Sequence, residues 1–336
     1  MEETKILFIG DPHIKFANIK EIDLLIEGLE KICDENKPDL IVIGGDLLDD
    51  HEKIWTLALN KSYEMIDKLR KHAEVYVLVG NHDYISNVQF LSTNHWMNAL
   101  KQWDNVTIVD IVLAKTINNK LFVFVPYVTN GRFIEALNTS SVDWSKSSCI
   151  FAHQEFYGCK MGAITSVNGD TWDLENPFVI SGHIHSRQYP QKNIYYPGSA
   201  LQIAFGESEK NIIPLIKFTE NERNIEEIDL LLPRKKIVYV DLEKADSIVV
   251  DENTKDSLKY TIKGDQEDFK LFKKGKKYKE MVKAGAKISF KSDKNKETKQ
   301  QEFIKNIDGK DFKTILRNLV VKEKNKYILE LFNELV

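Results

Sequence analysis

The sequence predicts an α/β fold in which β-sheets pack on each other and helices lie outside them, over residues 1–232. Between residues 5 and 80, short apolar runs alternate with segments whose apolar residues recur at helical spacing. This alternation is typical of parallel strands joined by right-handed helical crossovers. After residue 105, apolar runs follow one another with little helical pattern between them, which predicts a strand-rich second half.

The first half contains three predicted strands and two predicted helices. The first helix carries apolar residues at intervals of three and four, with Asn18 as its predicted N-cap and Pro38 as its stop. The second helix is predicted over 54–72. The strands that alternate with these helices are expected at 5–10, 39–45 and 74–80.

The second half is predicted to open with a hairpin. The run "LAKTINNKLFVFVPY" turns near Asn118 and Asn119, residues that tolerate the left-handed backbone of a tight turn. A helix is expected over 131–138. Further strands are predicted within 147–156, 178–183, 193–199, 212–218 and 225–232.

The stretch "PRKK", residues 233–236, predicts a domain boundary. We expect a large domain over 1–233, a small basic capping domain of strands and helices over 234–300, and two amphipathic C-terminal helices within 301–336. Net charge is −12 over residues 1–233 and +8 over 234–336. A basic domain can bind a polyanion, although a solvated surface explains the lysines equally well.

Composition narrows the class of protein. No stretch approaches about 18 consecutive apolar residues, so we expect no membrane span. The first residues are acidic ahead of an apolar run, the wrong order for a secretory signal. The three cysteines, Cys33, Cys149 and Cys159, are odd in number and lack zinc-site spacing, which predicts reduced thiols and a cytoplasmic location.

Five predicted strands of the large domain end in side chains that can bind metal. Most reach them through glycine, and parallel strands present their carboxyl ends at one edge of a sheet. One strand-end block alone is weak, because a histidine after a strand is more often structural. Their order and shared context predict a single site, formed by Asp11 and His13, Asp46 and Asp49, Asn81, His82 and Asp83, His153, and His183 and His185.

The types of donor indicate the metal. Carboxylate, imidazole and amide oxygen suit divalent ions such as Mn²⁺, Mg²⁺, Fe²⁺ or Zn²⁺. The donors are too many for one ion. Two ions about 3.5–4 Å apart can hold a phosphate and activate water for in-line attack.

The ordered blocks D-x-H, G-D-x-x-D, G-N-H-D, a single H and G-H-x-H resemble the calcineurin-like metallophosphoesterase family. The resemblance implies a double β-sandwich flanked by helices and two divalent ions, manganese above all. It assigns the first ion to Asp11, His13, Asp46 and His185. It assigns the second ion to Asp46, Asn81, His153 and His183, so that Asp46 bridges the two.

The same resemblance gives two residues a catalytic role. His82 would face the phosphate as general acid or charge stabiliser, and Asp49 would orient it. Asp83 would cap or brace the loop instead of binding metal.

A further block, Y-P-G-S followed by F-G-E within 195–211, resembles the SbcD-type nucleases of double-strand-break repair. This resemblance implies a manganese-dependent DNA exo- and endonuclease, the nuclease subunit of an SbcCD-like complex. Its partners would be DNA, an SMC-like coiled-coil ATPase bound through the C-terminal helices, and a second copy of the chain. The basic segment 270–291 mixes lysines with aromatic residues, as phosphate-tracking surfaces do.

Two other functions remain open. A phosphodiesterase for small molecules or nucleotides would use the same core blocks. A non-catalytic scaffold of the same fold usually loses ligands, whereas the full set is present here. The capping region matches the nucleases only as a pattern of elements, and the C-terminal helices could equally pack on the chain's own cap.

Overall fold

The structure, a computed structural model, describes residues 3–51, 53–208, 210–220, 222–251, 254–292, 316–317, 319–321 and 326–335. The chain divides into two compact units. Unit 1 comprises Met1–Lys236 and Asn253–Ser257, and unit 2 comprises Ile237–Glu252 and Leu258–Val336. Within the described part, no helix is both long and apolar enough to cross a membrane.

Unit 1 contains two six-stranded sheets, and strands dominate the described chain. In chain order the strands are β1 Thr4–Ile9, β2 Leu40–Ile43, β3 Glu74–Leu78, β4 Val106–Val109, β5 Leu113–Ile117, β6 Lys120–Val125, β7 Cys149–His153, β8 Lys160–Met161, β9 Ile164–Thr165, β10 Val179–Gly182, β11 Gln188–Gln191, β12 Ile194–Tyr196, β13 Ile213–Phe218, β14 Arg223–Ile228, β15 Lys235–Asp241, β16 Ser257–Gly264 and β17 Lys287–Ser292.

The helices flank these sheets or lie in unit 2. They are α1 Ile19–Asn36, α2 Thr56–Leu69, α3 Phe133–Leu137, α4 Gln266–Phe272, α5 Lys276–Lys283 and α6 Lys326–Leu335. The helix predicted over 54–72 is α2, which is shorter than predicted at both ends.

The first sheet has the order β14-β13-β1-β2-β3-β4, and the second has the order β11-β12-β10-β7-β6-β5. Strands β1 to β4 are parallel, as are β6, β7, β10 and β12. Antiparallel strands close both edges of the second sheet and one edge of the first. The carboxyl ends of the central strands of each sheet therefore lie at one edge.

The two sheets pack face to face, as predicted. Alternate residues of a strand point to opposite faces. Ile6 and Phe8 therefore join the core between the sheets, where the Phe8 ring stacks on Phe151 at 6.0 Å. Leu7 and Ile9 join the layer beneath α1 and α2. The other face of the second sheet packs on α3. The α/β prediction of sheets with helices outside is confirmed.

Local details differ from the predictions at two points. Asn18 precedes α1, but its side chain does not cap the helix. Its carboxamide instead donates to the carbonyl of His13 and accepts from the amide of Lys15, so it fixes the loop after β1. The strand predicted over 225–232 is β14, which begins two residues and ends four residues earlier.

The predicted hairpin is formed by β5 and β6. Asn118 and Asn119 have φ angles of 48° and 60°, the double left-handed conformation of a tight two-residue turn. Two short elements had no sequence signal. Strands β8 and β9, of two residues each, pair as a short antiparallel hairpin. Strand β11 forms an edge strand of the second sheet.

Unit 2 contains the sheet order β15-β16-β17, and α4 and α5 connect its parallel strands β16 and β17. Its small core buries Ala245, Tyr260, Ile262 and Met281. In the C-terminal segment, Val320 and Phe332 are buried, whereas Leu319, Val321, Ile328 and Leu331 are exposed. The predicted apolar positions Phe312 and Ile315 lie outside the described residues.

Candidate metal centre

The polar side chains predicted to form one site lie together at the carboxyl ends of β1, β2, β3, β7 and β10. Short contacts link most of these side chains. His13 lies 3.6 Å from Asp46 and 3.3 Å from Asp49, and its Nε2 is 3.0 Å from Nε2 of His185. His153 Nδ1 lies 3.6 Å from a carboxylate oxygen of Asp11.

Asp46 is at the centre of the cluster. Its Oδ2 lies 3.6 Å from Nε2 of His13 and 3.3 Å from Nε2 of His153, while its Oδ1 accepts the main-chain N–H of His82 at 2.8 Å. Among the described residues, Asp46 belongs to two groups whose donor atoms lie close enough to hold an ion, His13–Asp46–His82 and Asp46–His153–His183. Burial alone would raise the pKa of Asp46, but His153, followed by His13 and His82, lowers it well below its usual range.

The second predicted ligand set converges on the Asn81 amide oxygen. That oxygen lies 3.0 Å from Nε2 of His153 and 2.9 Å from Nδ1 of His183. A carbonyl can only accept, so the Nδ1–H of His153 donates to the Gly44 carbonyl at 2.7 Å. A main-chain partner of this kind orients the histidine ligands of metals.

In the first predicted set, a histidine is likewise oriented by a neighbouring group. His185 places Nδ1 3.0 Å from the carboxylate of Glu207, which leaves Nε2 toward His13. Asp11 is fully buried, and among the described residues neither of its carboxylate oxygens has a hydrogen-bond partner. A buried carboxylate without hydrogen bonds is costly. A bound cation would satisfy it, so the residues present fit a divalent ion at this point.

The backbone at this centre is strained. Asp11, His13, Asp46 and His183 have φ angles of 24°, 44°, 48° and 78°. Non-glycine residues seldom adopt this left-handed region, and such residues concentrate at functional sites. Four of the seven predicted metal ligands therefore hold a conformation that the surrounding fold must enforce.

Glycines let the donors approach each other. A Cβ at Gly80 would collide with the carboxylate and main chain of Asp46. A Cβ at Gly182 would collide with Asp11 and with the carbonyl of Gly44. The glycines that precede the predicted ligands are therefore required for close packing of the strand ends.

His82 is oriented by the main chain of Asp49. Its Nδ1 donates to the Asp49 carbonyl at 2.6 Å, and its ring stacks on His51 at 4.5 Å. The Asp49 carboxylate instead accepts two hydrogen bonds from Lys15, at 2.9 and 3.0 Å. Burial would raise the pKa of Asp49, but contacts to His13 and Lys15 outweigh it and lower the pKa to about 2.

Asp83 contacts the loops and not the other donors. It accepts the main-chain N–H groups of Leu47, Leu48 and Gly80 and the indole N–H of Trp96. Burial, followed by the charge of Asp46, raises its pKa to about 6. These contacts are those expected of a residue that braces the loop.

Three residues of the site were not singled out from the sequence. Lys15 pairs with Asp49, His51 stacks on His82, and Glu207 binds His185. Of these three residues, Glu207 had a signal in the sequence, because it is the acidic residue of the F-G-E block. Its second oxygen accepts the amides of Ile203 and Ala204, so the carboxylate is held at both ends.

Residues 4–187 match the family model described as "Calcineurin-like phosphoesterase". The protein named "Putative phosphoesterase 244L" of Invertebrate iridescent virus 6 is 51% identical over 284 residues, covering 82% of this chain and 99% of the viral protein. "Putative phosphoesterase 078R" of Invertebrate iridescent virus 3 is 46% identical over 293 residues, covering 86% and 84%. Among solved structures, GAP50, the anchor in the inner membrane complex of Plasmodium, has a TM-score of 0.47 and 14% identity, covering 68% and 85%.

Proposed function

We propose that this chain, which belongs to the calcineurin-like phosphoesterase family, hydrolyses the phosphodiester bonds of DNA as a two-metal exo- and endonuclease. Family membership makes it a metal-dependent phosphoester hydrolase. The observation that carries the proposal is the pair of donor groups that share Asp46, one of which also includes His82. The choice of DNA among phosphoesters is the step that needs testing.

Seven residues would hold the two ions. Asp11, His13 and His185 would serve the first ion and Asn81, His153 and His183 the second, with Asp46 shared. Manganese is the proposed resident metal, although the donors suit Mg²⁺, Fe²⁺ and Zn²⁺ as well. Bound ions would supply a Lewis acid for the phosphoryl oxygens and a nucleophilic water at neutral pH.

His82 would supply the proton for the departing sugar oxygen. Its Nδ1 is engaged by the Asp49 carbonyl, so Nε2 is the nitrogen left for substrate. In the absence of substrate, burial lowers the pKa of His82. An anionic phosphate beside Nε2 would favour the protonated ring, which can then donate to the leaving oxygen.

The lysines of unit 2 support a polyanionic substrate. Residues 269–292 contain nine lysines and one glutamate. The lysines at 270, 273, 274 and 279 are exposed on and beside α4 and α5. An excess of cations of this kind is the electrostatic footprint of proteins that bind nucleic-acid backbones.

We also propose the partners implied by the SbcD-like block. The exposed apolar residues of the C-terminal segment, among them Ile328 and Leu331, are candidates for an SMC-like ATPase. Exposed apolar residues between 50 and 105, including Trp55 and Val88, are candidates for a homodimer contact. The two viral relatives support action in a host-cell cytoplasm.

One assay tests the nuclease proposal. The full chain is incubated with Mn²⁺ and end-labelled duplex or single-stranded DNA, beside the chromogenic diester bis(4-nitrophenyl) phosphate. We expect cleavage of DNA, and a loss of about 10²–10⁴-fold in His82→Ala with metal content retained. His72→Ala, which changes a histidine away from the centre, should cleave at the wild-type rate.

Other results of this assay would support one of the two rival functions or contradict the role of His82. Turnover of the chromogenic diester without cleavage or binding of DNA would support the small-molecule phosphodiesterase. Inactivity toward both, with metal bound, would support the scaffold. A His82→Ala variant as active as His72→Ala would remove His82 from the mechanism.

A further inference from the structure

Two cavities adjoin the metal centre, both within unit 1. The larger, here called the hairpin cavity, has a volume of about 840 Å³ and is bounded by residues 160–163, 183–188 and 206–208. The smaller, here called the His82 cavity, has a volume of about 360 Å³ and is bounded by His82 with residues 83–85, 93–96, Asp50 and Ile54. His13 lies between them, because its ring centre is 4.9 Å from that of His82 and 4.8 Å from that of His185.

We propose that the hairpin cavity binds the nucleoside that stays esterified to phosphorus after cleavage, a proposal that rests on the diesterase function proposed above. Hydrolysis forms a P–O bond from water and breaks the P–O bond to the leaving sugar. The leaving oxygen takes a proton from His82 while water releases one to solvent. Since His82 borders the smaller cavity, the leaving group lies there, and the retained substituent extends past His185.

The lining of the hairpin cavity suits a nucleoside. Met161 and Ala163 are exposed and present apolar surface against which a flat base can pack. The Ser208 hydroxyl oxygen accepts the Lys210 amide, so its O–H can donate to the sugar or to base edges. The volume lies within the range of small-molecule sites and exceeds what an inorganic phosphate needs.

The wall formed by β8 and β9 is held in place. The Gln188 carboxamide pairs with the main chain of Lys160 in both directions, accepting its N–H at 2.7 Å and donating to its carbonyl at 2.9 Å. This contact extends the hairpin onto the edge strand β11. A two-residue hairpin has little stability of its own. The side-chain bridge therefore accounts for a pre-formed wall.

The position of Lys160 at the rim of the hairpin cavity suits a ligand longer than one nucleoside. Its side chain is exposed at the rim, and among the described residues its ammonium has no ion-pair partner. Glu207, the acid of this lining, is already engaged by His185 and two amides. A cation without a partner at the rim suits the next phosphate along a strand.

Two diesters with the same leaving group test the subsite. Thymidine 5′-(4-nitrophenyl phosphate) and methyl 4-nitrophenyl phosphate both release 4-nitrophenolate and differ only in the retained group. With Mn²⁺, we expect kcat/KM of the wild type to favour the nucleoside diester by about tenfold or more. Ala163→Trp, which fills the cavity from an exposed position, should abolish this preference and leave the methyl diester unaffected.

Thr165→Trp is the matched control, since Thr165 is exposed on the same hairpin but does not line the cavity. It should keep the wild-type preference. Equal rates for both diesters in the wild type, or the same change of preference in both tryptophan variants, would overturn the subsite. The unchanged methyl diester reports that each variant is folded and metal-loaded.

Lys160→Ala tests the second step. It should raise KM for a thymidine trinucleotide and leave the thymidine nitrophenyl diester unchanged; a rise in both, or in neither, contradicts the phosphate contact. The outcomes separate the two proposals. Nucleoside preference without DNA cleavage refutes the nuclease alone, whereas DNA cleavage without nucleoside preference refutes the subsite alone.

Discussion

At the scale of single residues, the centre brings buried carboxylates close together. Without a cation their negative charges repel each other, and burial deprives them of water. Asp11 and Asp46 are buried on either side of His153. Burial, and then Asp46, raises the pKa of Asp11, although His153 opposes the rise. Burial would lower the pKa of His153, but Asp46 and then Asp11 raise it to about 9. Metal binding at this centre should therefore release a proton from His153.

The shared position of Asp46 leads to a prediction on metal content. Asp46→Ala should lose both ions, because it removes the one donor common to both groups. His183→Ala and His185→Ala should each lose one ion, from different positions. Metal analysis after manganese loading measures the number, and electron paramagnetic resonance should show isolated Mn²⁺ in place of a coupled pair in the two histidine variants.

His72→Ala serves as the control for these variants and should retain two ions. If His183→Ala and His185→Ala both keep two ions per chain, these histidines are a structural pair on one strand end. Retention of one ion by Asp46→Ala would show that Asp46 does not bridge.

At the scale of elements, the site depends on how the connections between strands are fixed. The 3₁₀ helix Trp96–Gln102 carries Trp96, which donates to Asp83 beneath the centre. Asp110, just after β4, holds this helix by accepting from Lys101 at 2.5 Å and from Nε2 of His95 at 3.1 Å. His95 Nδ1 accepts the amide of Met97, so Nε2 carries the hydrogen.

Asp110→Asn should destabilise the chain in a pH-dependent way. Burial would raise the pKa of Asp110, but the contacts to His95 and Lys101 lower it. Because the folded state lowers this pKa below the unfolded value of about 3.9, the carboxylate stabilises the fold above that pH. This stability is lost as pH falls through the folded pKa.

Urea unfolding at pH 7 should show a loss of about 1.5–3 kcal/mol for Asp110→Asn, the usual worth of hydrogen bonds to a charged group. The gap between variant and wild type should narrow as the pH approaches 3. Asp143→Asn, at an exposed carboxylate paired with Lys146, should change stability little at either pH. A gap for Asp110→Asn that is constant with pH would exclude the charge as its cause.

At the scale of the whole molecule, the two units carry opposite charge. The acidic side chains of unit 1 include the candidate metal donors, whereas residues 269–292 of unit 2 contain nine lysines and one glutamate. In this segment Lys276 forms an ion pair with Glu280, with 3.6 Å between Nζ and Oε1. Under the proposed nuclease function, unit 1 would supply the metal chemistry and the lysines of unit 2 would attract the polyanion.

Removing charge from α4 and its C-terminal loop should weaken DNA binding at every sequence alike. The triple variant Lys270→Gln, Lys273→Gln, Lys274→Gln should flatten the dependence of log K on log salt by up to about 3, one for each lost phosphate contact. Fluorescence anisotropy with labelled DNA between 50 and 200 mM salt measures the slope. Lys31→Gln, Lys71→Gln, Lys146→Gln removes the same charge from unit 1 and should leave the slope unchanged. Equal slopes for all three proteins would exclude unit 2 from DNA binding.

The sequence by itself predicted most strands of the two sheets, the long helices α1 and α2, and the candidate donors. Alternation of apolar runs and the 3.6-residue periodicity are local properties, so the strands and α1 could be read directly. The candidate donors were visible because carboxylates, amides or histidines follow five of the predicted strands, and parallel strands must end at one edge. Composition also separated the basic part beyond residue 234 from the acidic part before it.

Only the tertiary structure decided how the donors are supported and where a substrate can lie. The carbonyl of Asp49, not its carboxylate, orients His82, and a main-chain contact leaves no mark in sequence. Glu207 meets His185 across 22 residues of chain. The β8–β9 hairpin is too short for periodicity, and its wall depends on Gln188 from a separate strand. Such contacts arise from chain packing in three dimensions, whereas the pattern of the sequence records only neighbours along the chain.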